Sequence, residues 1–264
     1  MRTSSILTAA ALLGIAALSA NAQMGMSASG NDKGATINLS PGPMPVRLQQ
    51  VTGAPYSARP VNESVTTLAN GTHLTRQAPS DSVVYRDSQG RVRTERPMFP
   101  NAPTAPVTLI YIDDPVAGYR YLLDRDNQVA HRMAAASTGA SPAAPPNQIT
   151  QPQTHAVPNG ISISAEPLGP STMLGIPVVG VKNTTTFPVG SSMGNDQPVT
   201  QSSETWYSTQ LGIMVYSKSI SPTAVTTSTL KDLSFMEPDP ALFTVPAGYK
   251  IVDETGPFTI KVTR

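Results

Sequence analysis

The sequence predicts a mainly β protein built as a curved antiparallel sheet of half-barrel type. Three observations carry that prediction. No window of twelve residues shows an apolar stripe of helical period, because Pro or Gly interrupts nearly every candidate. Short β-branched and aromatic runs recur instead, each bounded by turn residues. The connections between them are short, which favours a meander, either a sandwich or a strongly curved sheet.

The elements follow in chain order. Met1-Arg2-Thr3, an apolar run from Ile6 to Leu18 and Ala20-Asn21-Ala22 have the layout of a secretory signal peptide. The run is too short for a membrane-spanning helix, which needs about 20 apolar residues. Residues 1–22 are therefore expected to be removed after Ala22, leaving a chain that starts at Gln23 in the periplasm or outside the cell. Residues 23–45, with Ser-Ala-Ser-Gly and Pro41-Gly42-Pro43, read as a disordered N-terminal tail.

Val83-Val84-Tyr85-Arg86-Asp87 and Arg91-Val92-Arg93-Thr94-Glu95 read as a hairpin turning at Gly90. Val107 to Ile112 is a buried type of strand stopped by Asp113-Asp114-Pro115. Tyr119–Asp124 and Gln128–Arg132 flank the turn Arg125-Asp126-Asn127. Residues 134–160, rich in Ala, Ser, Pro and Gln, read as a mobile linker. Ile176–Phe187, Val199–Tyr207, Ile213–Ile220 and Val225–Phe235 are four more strands, for nine or ten in total. Pro238 to Phe243 suits one helical turn that docks Leu242 and Phe243. The expected organisation is thus a single β domain over 46–255, interrupted by the linker and followed by a C-terminal tail at 256–264.

Composition narrows the function. The chain has no cysteine, so neither a disulfide framework nor a lipid-modified cysteine is available. Charged residues make up only 13%, about half the usual share. With Arg2 in the leader, cations and acids balance. The arginines from Arg76 to Arg132 are interleaved with acids and read as a solvated mixed-charge surface, so no nucleic-acid partner is expected. No second apolar stretch approaches membrane-spanning length.

Catalytic patterns are weak. Gly190-Ser191-Ser192-Met193-Gly194 spells the G-x-S-x-G nucleophile motif, but a strand rather than a helix follows. All three histidines, His73, His131 and His155, also precede the serine and share no metal-ligand spacing. Asp124-Arg125-Asp126-Asn127 lacks the glycine and distal glutamate of a calcium loop. No cofactor, no metal and no enzymatic activity are expected.

One hairpin offers a binding surface. With Ser208 to Gly212 as its loop, Tyr207 faces Ile213 and Thr205 faces Val215. The other face then holds Trp206 against Met214, Glu204 against Tyr216 and Ser202 against Lys218. Trp206, Met214, Tyr216 and Glu204 are the candidate ligand contacts, an adaptable apolar set with one acid. The competing readings are that Trp206 packs beneath a loop and that Glu204 forms a rim salt bridge with Lys218.

Leu174-Gly175-Ile176-Pro177-Val178-Val179-Gly180-Val181 and Ser203-Glu204-Thr205-Trp206-Tyr207-Ser208 belong to a longer pattern. It continues through Val215-Tyr216-Ser217-Lys218 and Glu237-Pro238-Asp239-Pro240-Ala241-Leu242-Phe243-Thr244-Val245-Pro246-Ala247-Gly248-Tyr249-Lys250. It resembles a family of uncharacterised secreted bacterial β-proteins over about residues 165–252. More remotely it is similar to the lipoprotein-carrier (LolA/LolB-like) half-barrel superfamily. The resemblance implies a half-barrel that binds an acyl chain or hydrophobic peptide, and it brings no catalytic residues. The expected partner is accordingly a hydrophobic small molecule or, as the competing class, an envelope protein docked on a sheet edge.

Overall fold

A computed structural model describes residues 24–31, 34–41, 46–78, 82–98, 107–142, 149–191 and 194–263. The expected leader, residues 1–22, lies outside them. The first half of the chain forms β1 (Met24–Asn31), β2 (Gly34–Pro41), β3 (Val46–Thr52), β4 (Tyr56–Thr67), β5 (His73–Ala78), β6 (Val83–Arg86), β7 (Val92–Met98), β8 (Val107–Asp114) and β9 (Tyr119–Asp124). The second half forms β10 (Val129–Pro142), β11 (Gln153–Ala156), β12 (Ser162–Met173), β13 (Ile176–Phe187), β14 (Val199–Ser208), β15 (Met214–Ile220), β16 (Ala224–Ser234), β17 (Lys250–Asp253) and β18 (Phe258–Thr263). The described residues contain no α-helix, and the mainly β class holds.

Two antiparallel meanders, β6 to β10 and β11 to β16, meet on β4 in one curved, unclosed sheet. β4 is long enough to serve both. Its first residues pair with β6 (Tyr56 opposite Arg86), and its outer half pairs with β5 on that side (Glu63 opposite Gln77). β16 runs along its other side. The only parallel pairings among the described residues lie on β10, whose free side takes up β17 and then β3.

The β6–β7 hairpin forms as the sequence predicts, with Tyr85 opposite Arg93. Gly90 turns it at φ +86°, and an added Cβ would sit 2.9 Å from the Val51 carbonyl oxygen. Gly90→Ala combines left-handed strain with this clash, so a loss of about 2–4 kcal/mol is expected in urea unfolding. A loss below about 0.5 kcal/mol, within the range of a neutral surface change, would show that the turn relaxes freely.

Three stretches read from composition as tail or linker contain strands. Residues of the N-terminal tail form β1 and β2, and residues of the C-terminal tail form β18, making a separate three-stranded sheet. Its Ile37, Leu39 and Ile260 are buried with Leu109, Leu122 and Met133 on one face of the main sheet. The physical reason is strict alternation in Thr36-Ile37-Asn38-Leu39-Ser40 and in Thr259-Ile260-Lys261, which places each apolar side chain inward. The expected linker is likewise not one irregular stretch. Residues 134–142 continue β10 against β3, 153–156 form β11 and 162 onward forms β12, while 143–148 lie outside the described residues. Alanine and serine carry ladder hydrogen bonds as well as any residue, and the buried Val46 and Leu48 of β3 anchor this pairing.

The opposite face of β8 to β10 holds Ile110, Ile112, Leu123 and Ala130 under Val245 and Tyr249. The helical turn at Pro240–Phe243 forms there, with Phe243 buried and the Leu242 carbonyl accepting from Arg93 Nη1 at 3.1 Å. Asp239 caps it by accepting from the Ala241 amide. A third cluster, containing Tyr56, Val84, Val178, Trp206, Leu211, Val215 and Leu230, joins the two meanders.

The arginine-rich surface is also corrected in part. Arg86, Asp87, Arg120 and Asp124 are buried. Arg86 is 3% exposed and lies over the Tyr56 ring. It donates to the carbonyls of Ala54 at 2.9 Å and Leu211 at 2.6 Å. Burial pulls its pKa down, partly countered by Tyr56, and pushes the Tyr56 hydroxyl up. Arg120 is bidentate to Asp113; burial acts to lower its pKa, but the hydrogen bonds and charge of Asp113 outweigh that and raise it.

Candidate functional site

The β14–β15 hairpin places the four residues named from the sequence. Its register runs two residues beyond the expected one. Trp206 faces Tyr216, Glu204 faces Lys218 and Ser202 faces Ile220. A bulge between Trp206 and Tyr207 sets Tyr207 opposite Met214. A shift of two preserves the pleat, so Trp206, Glu204, Tyr216 and Lys218 still share one face.

On that face Trp206 is only 9% exposed. Its ring lies against Gly180, directly opposite on β13, where an added Cβ would be 2.7 Å from ring atoms. The indole N–H donates to Glu204 Oε1 at 2.5 Å. Met214 is buried in the same cluster, and Tyr216 packs on its margin. Burial and the Glu204 charge both push the Tyr216 hydroxyl up. Trp206 is thus seated in a slot made by a glycine, with an acid holding its polar edge. Tyr216 and Glu204 are the two of the four that remain half-exposed.

A second place has the shape of a binding site. An open cleft of about 400 Å³ lies between β7 to β9 and the segment after the helical turn. Ile110 and Leu123 face each other on β8 and β9 and form its floor, with Glu95 continuing the same row on β7. Arg93 and Arg125 flank the floor, and Pro246 and Tyr249 cover it. Arg93 Nε donates to Glu95 at 2.7 Å, which holds both side chains in place. Sequence reading missed this cleft because Tyr249 reaches it from more than a hundred residues away. The usable signal was Pro246-Ala247-Gly248-Tyr249, a turn delivering one aromatic ring to the sheet.

The other chemistries are distributed rather than assembled. His131 is buried, stacked on Phe258, with Nδ1 2.7 Å from Glu254. His73 bonds Thr67, and His155 lies exposed on β11. No group of three potential metal ligands occurs among the described residues. Ser192 and Met193 of the G-x-S-x-G stretch lie outside the described residues; the elements before and after it, β13 and β14, are antiparallel strands.

No family model matches the chain, and no curated protein matches it. Among solved structures, the chain is similar to the crystal structure of LprF from Mycobacterium bovis, at 13% identity and a TM-score of 0.26, over 71% of this chain and 90% of that one.

Proposed function

We propose that this chain is an exported, non-enzymatic binding protein that takes a hydrophobic small molecule with a charged head, such as an acyl chain ending in an acid. The observation that supports this most is the cleft over Ile110 and Leu123. Its size falls within the range of ligand pockets, about 300–1,000 Å³. Ile110 and Leu123 are buried beneath Tyr249, so an apolar chain reaches them by displacing that ring, while Arg125 at the rim offers a cation to the head. Tyr249 supplies a rigid covering ring. Tyr216 and Glu204 on the neighbouring meander are the second candidate contacts for the same class of ligand.

Native mass spectrometry of protein secreted by an exporting host tests both parts. The expected mass corresponds to a chain starting at Gln23 and carrying an apolar ligand. Titration with a fluorescent fatty acid then locates the site. Tyr249→Ala and Arg125→Glu are each expected to weaken binding about tenfold, whereas Tyr216→Ala leaves it unchanged. The reverse pattern would move the ligand to the Trp206 hairpin. A clean protein mass with no fatty-acid binding would instead favour the envelope-interaction reading, for which the fully exposed strand β11 is the available sheet edge.

A further inference from the structure

The second meander carries a line of charges across four of its strands. Cross-strand partners place Glu166 opposite Lys182, Lys182 opposite Glu204, and Glu204 opposite Lys218. The row continues through Thr227 and Glu63 to Gln77. It crosses seven strands, and directly opposed residues share a face.

Beyond this row the sheet end is almost free of charge. It carries the connecting residues 68–72, 157–161, 188–191, 194–198 and 221–223. The end of β4 meets the last of these, as the Thr67 amide donates to the Thr223 carbonyl. With histidine uncharged, Arg76, one residue past the row, and Asp196 are the charged residues of this end. Large apolar side chains stand exposed there: Val189 at 58%, Leu74 at 51%, Ile220 at 42% and Leu68 at 41%.

We propose that this end dips into the surface of an electrically neutral lipid bilayer, with Val189, Ile220, Leu68 and Leu74 entering the acyl boundary and the charged row staying in water. The dimensions agree. Two residues separate Lys218 from Ile220 and five separate Lys182 from Phe187, which is about 7–17 Å of strand. Surface-bound elements bury their apolar side to a depth of about 5–10 Å. A wedge whose charges are Arg76 and Asp196, bordered by alternating charges, matches a layer that disfavours ions and is wetted on one side. The four side chains are strung along about five strand spacings, or about 24 Å. Such scattered tips fit a deformable liquid better than the rigid, continuous patch a second copy needs.

Flotation with phosphatidylcholine vesicles tests the proposal on the secreted chain. Partition is expected, and it should persist in salt on the order of 1 M, because no ion pairing drives it. Ile220→Asp and Leu74→Asp, both at exposed positions, are expected to lower partition about tenfold each. Val116→Asp, exposed in the β8–β9 turn of the other meander, should leave it unchanged. Absence of flotation would overturn the proposal. So would binding confined to anionic vesicles and lost in salt, or equal loss in the Val116 variant. A change of oligomeric mass on Ile220→Asp without vesicle binding would assign the patch to self-association and likewise overturn it. Arg125→Glu is expected to leave vesicle binding intact, so this result and the fate of the ligand cleft are read separately.

Discussion

Arg86→Ala is expected to lower the unfolding free energy by about 3–5 kcal/mol, measured by urea denaturation followed by circular dichroism. The guanidinium is the joint between the meanders. It reaches from β6 to the Ala54 carbonyl before β4 and to the Leu211 carbonyl in the β14–β15 loop. Alanine leaves two carbonyls buried without donors, each costing about 1–3 kcal/mol. The stem packing on Tyr56 is lost as well. Arg86→Met keeps most of that stem and should still lose at least half as much stability, since the carbonyls stay unpaired. Near-wild-type stability of the methionine variant would show that packing rather than hydrogen bonding holds the two halves.

Trp206→Ala is expected to cost a further about 3–5 kcal/mol, the usual range for emptying a buried tryptophan site. Its ring contacts Gly180 and its N–H occupies Glu204, so removal opens a hole and releases a carboxylate beside it. Gly180→Ala should cost about 1–3 kcal/mol by overpacking. Combined with Trp206→Ala it should cost almost nothing, because the ring it collides with is gone. Thermal melts of the four proteins give this coupling directly. Additive losses would mean that the indole does not rest on Gly180. Trp206→Phe, which keeps the slot filled, is the better variant for a ligand-binding assay.

Strand positions were legible where alternation and turn chemistry agreed. Tyr119–Asp124 and Ile176–Phe187 end in the structure at the residues the sequence marks. The hairpin at Gly90 announced itself through a β-branched run on each side of a glycine. Composition misled where it was weighed above period. Ser, Gly and Ala in 24–31, 34–41 and 134–142 obscured strands that pair along their length, with one irregularity between Ser137 and Ala140. β12 was hidden by Pro167 and Pro170, which the strand tolerates beside a register shift between Pro167 and Gly169.

The candidate site was half legible. Sharing of a face by Trp206, Glu204 and Tyr216 follows from period two alone. The slot beneath Trp206 depends on Gly180, twenty-six residues earlier, and on register that no single strand encodes. Burial of Arg86 was invisible for a similar reason. Its acceptors are backbone atoms, which leave no trace in side-chain pattern.

The pairing of β18 with β2, with Ile260 opposite Ile37, has a kinetic consequence. The lid over Leu109 and Leu122 needs two strands that lie far apart along the chain. Contacts of such large sequence separation carry a large loop-closure cost and form slowly. Closure of this hydrophobic seam is therefore a late event in folding.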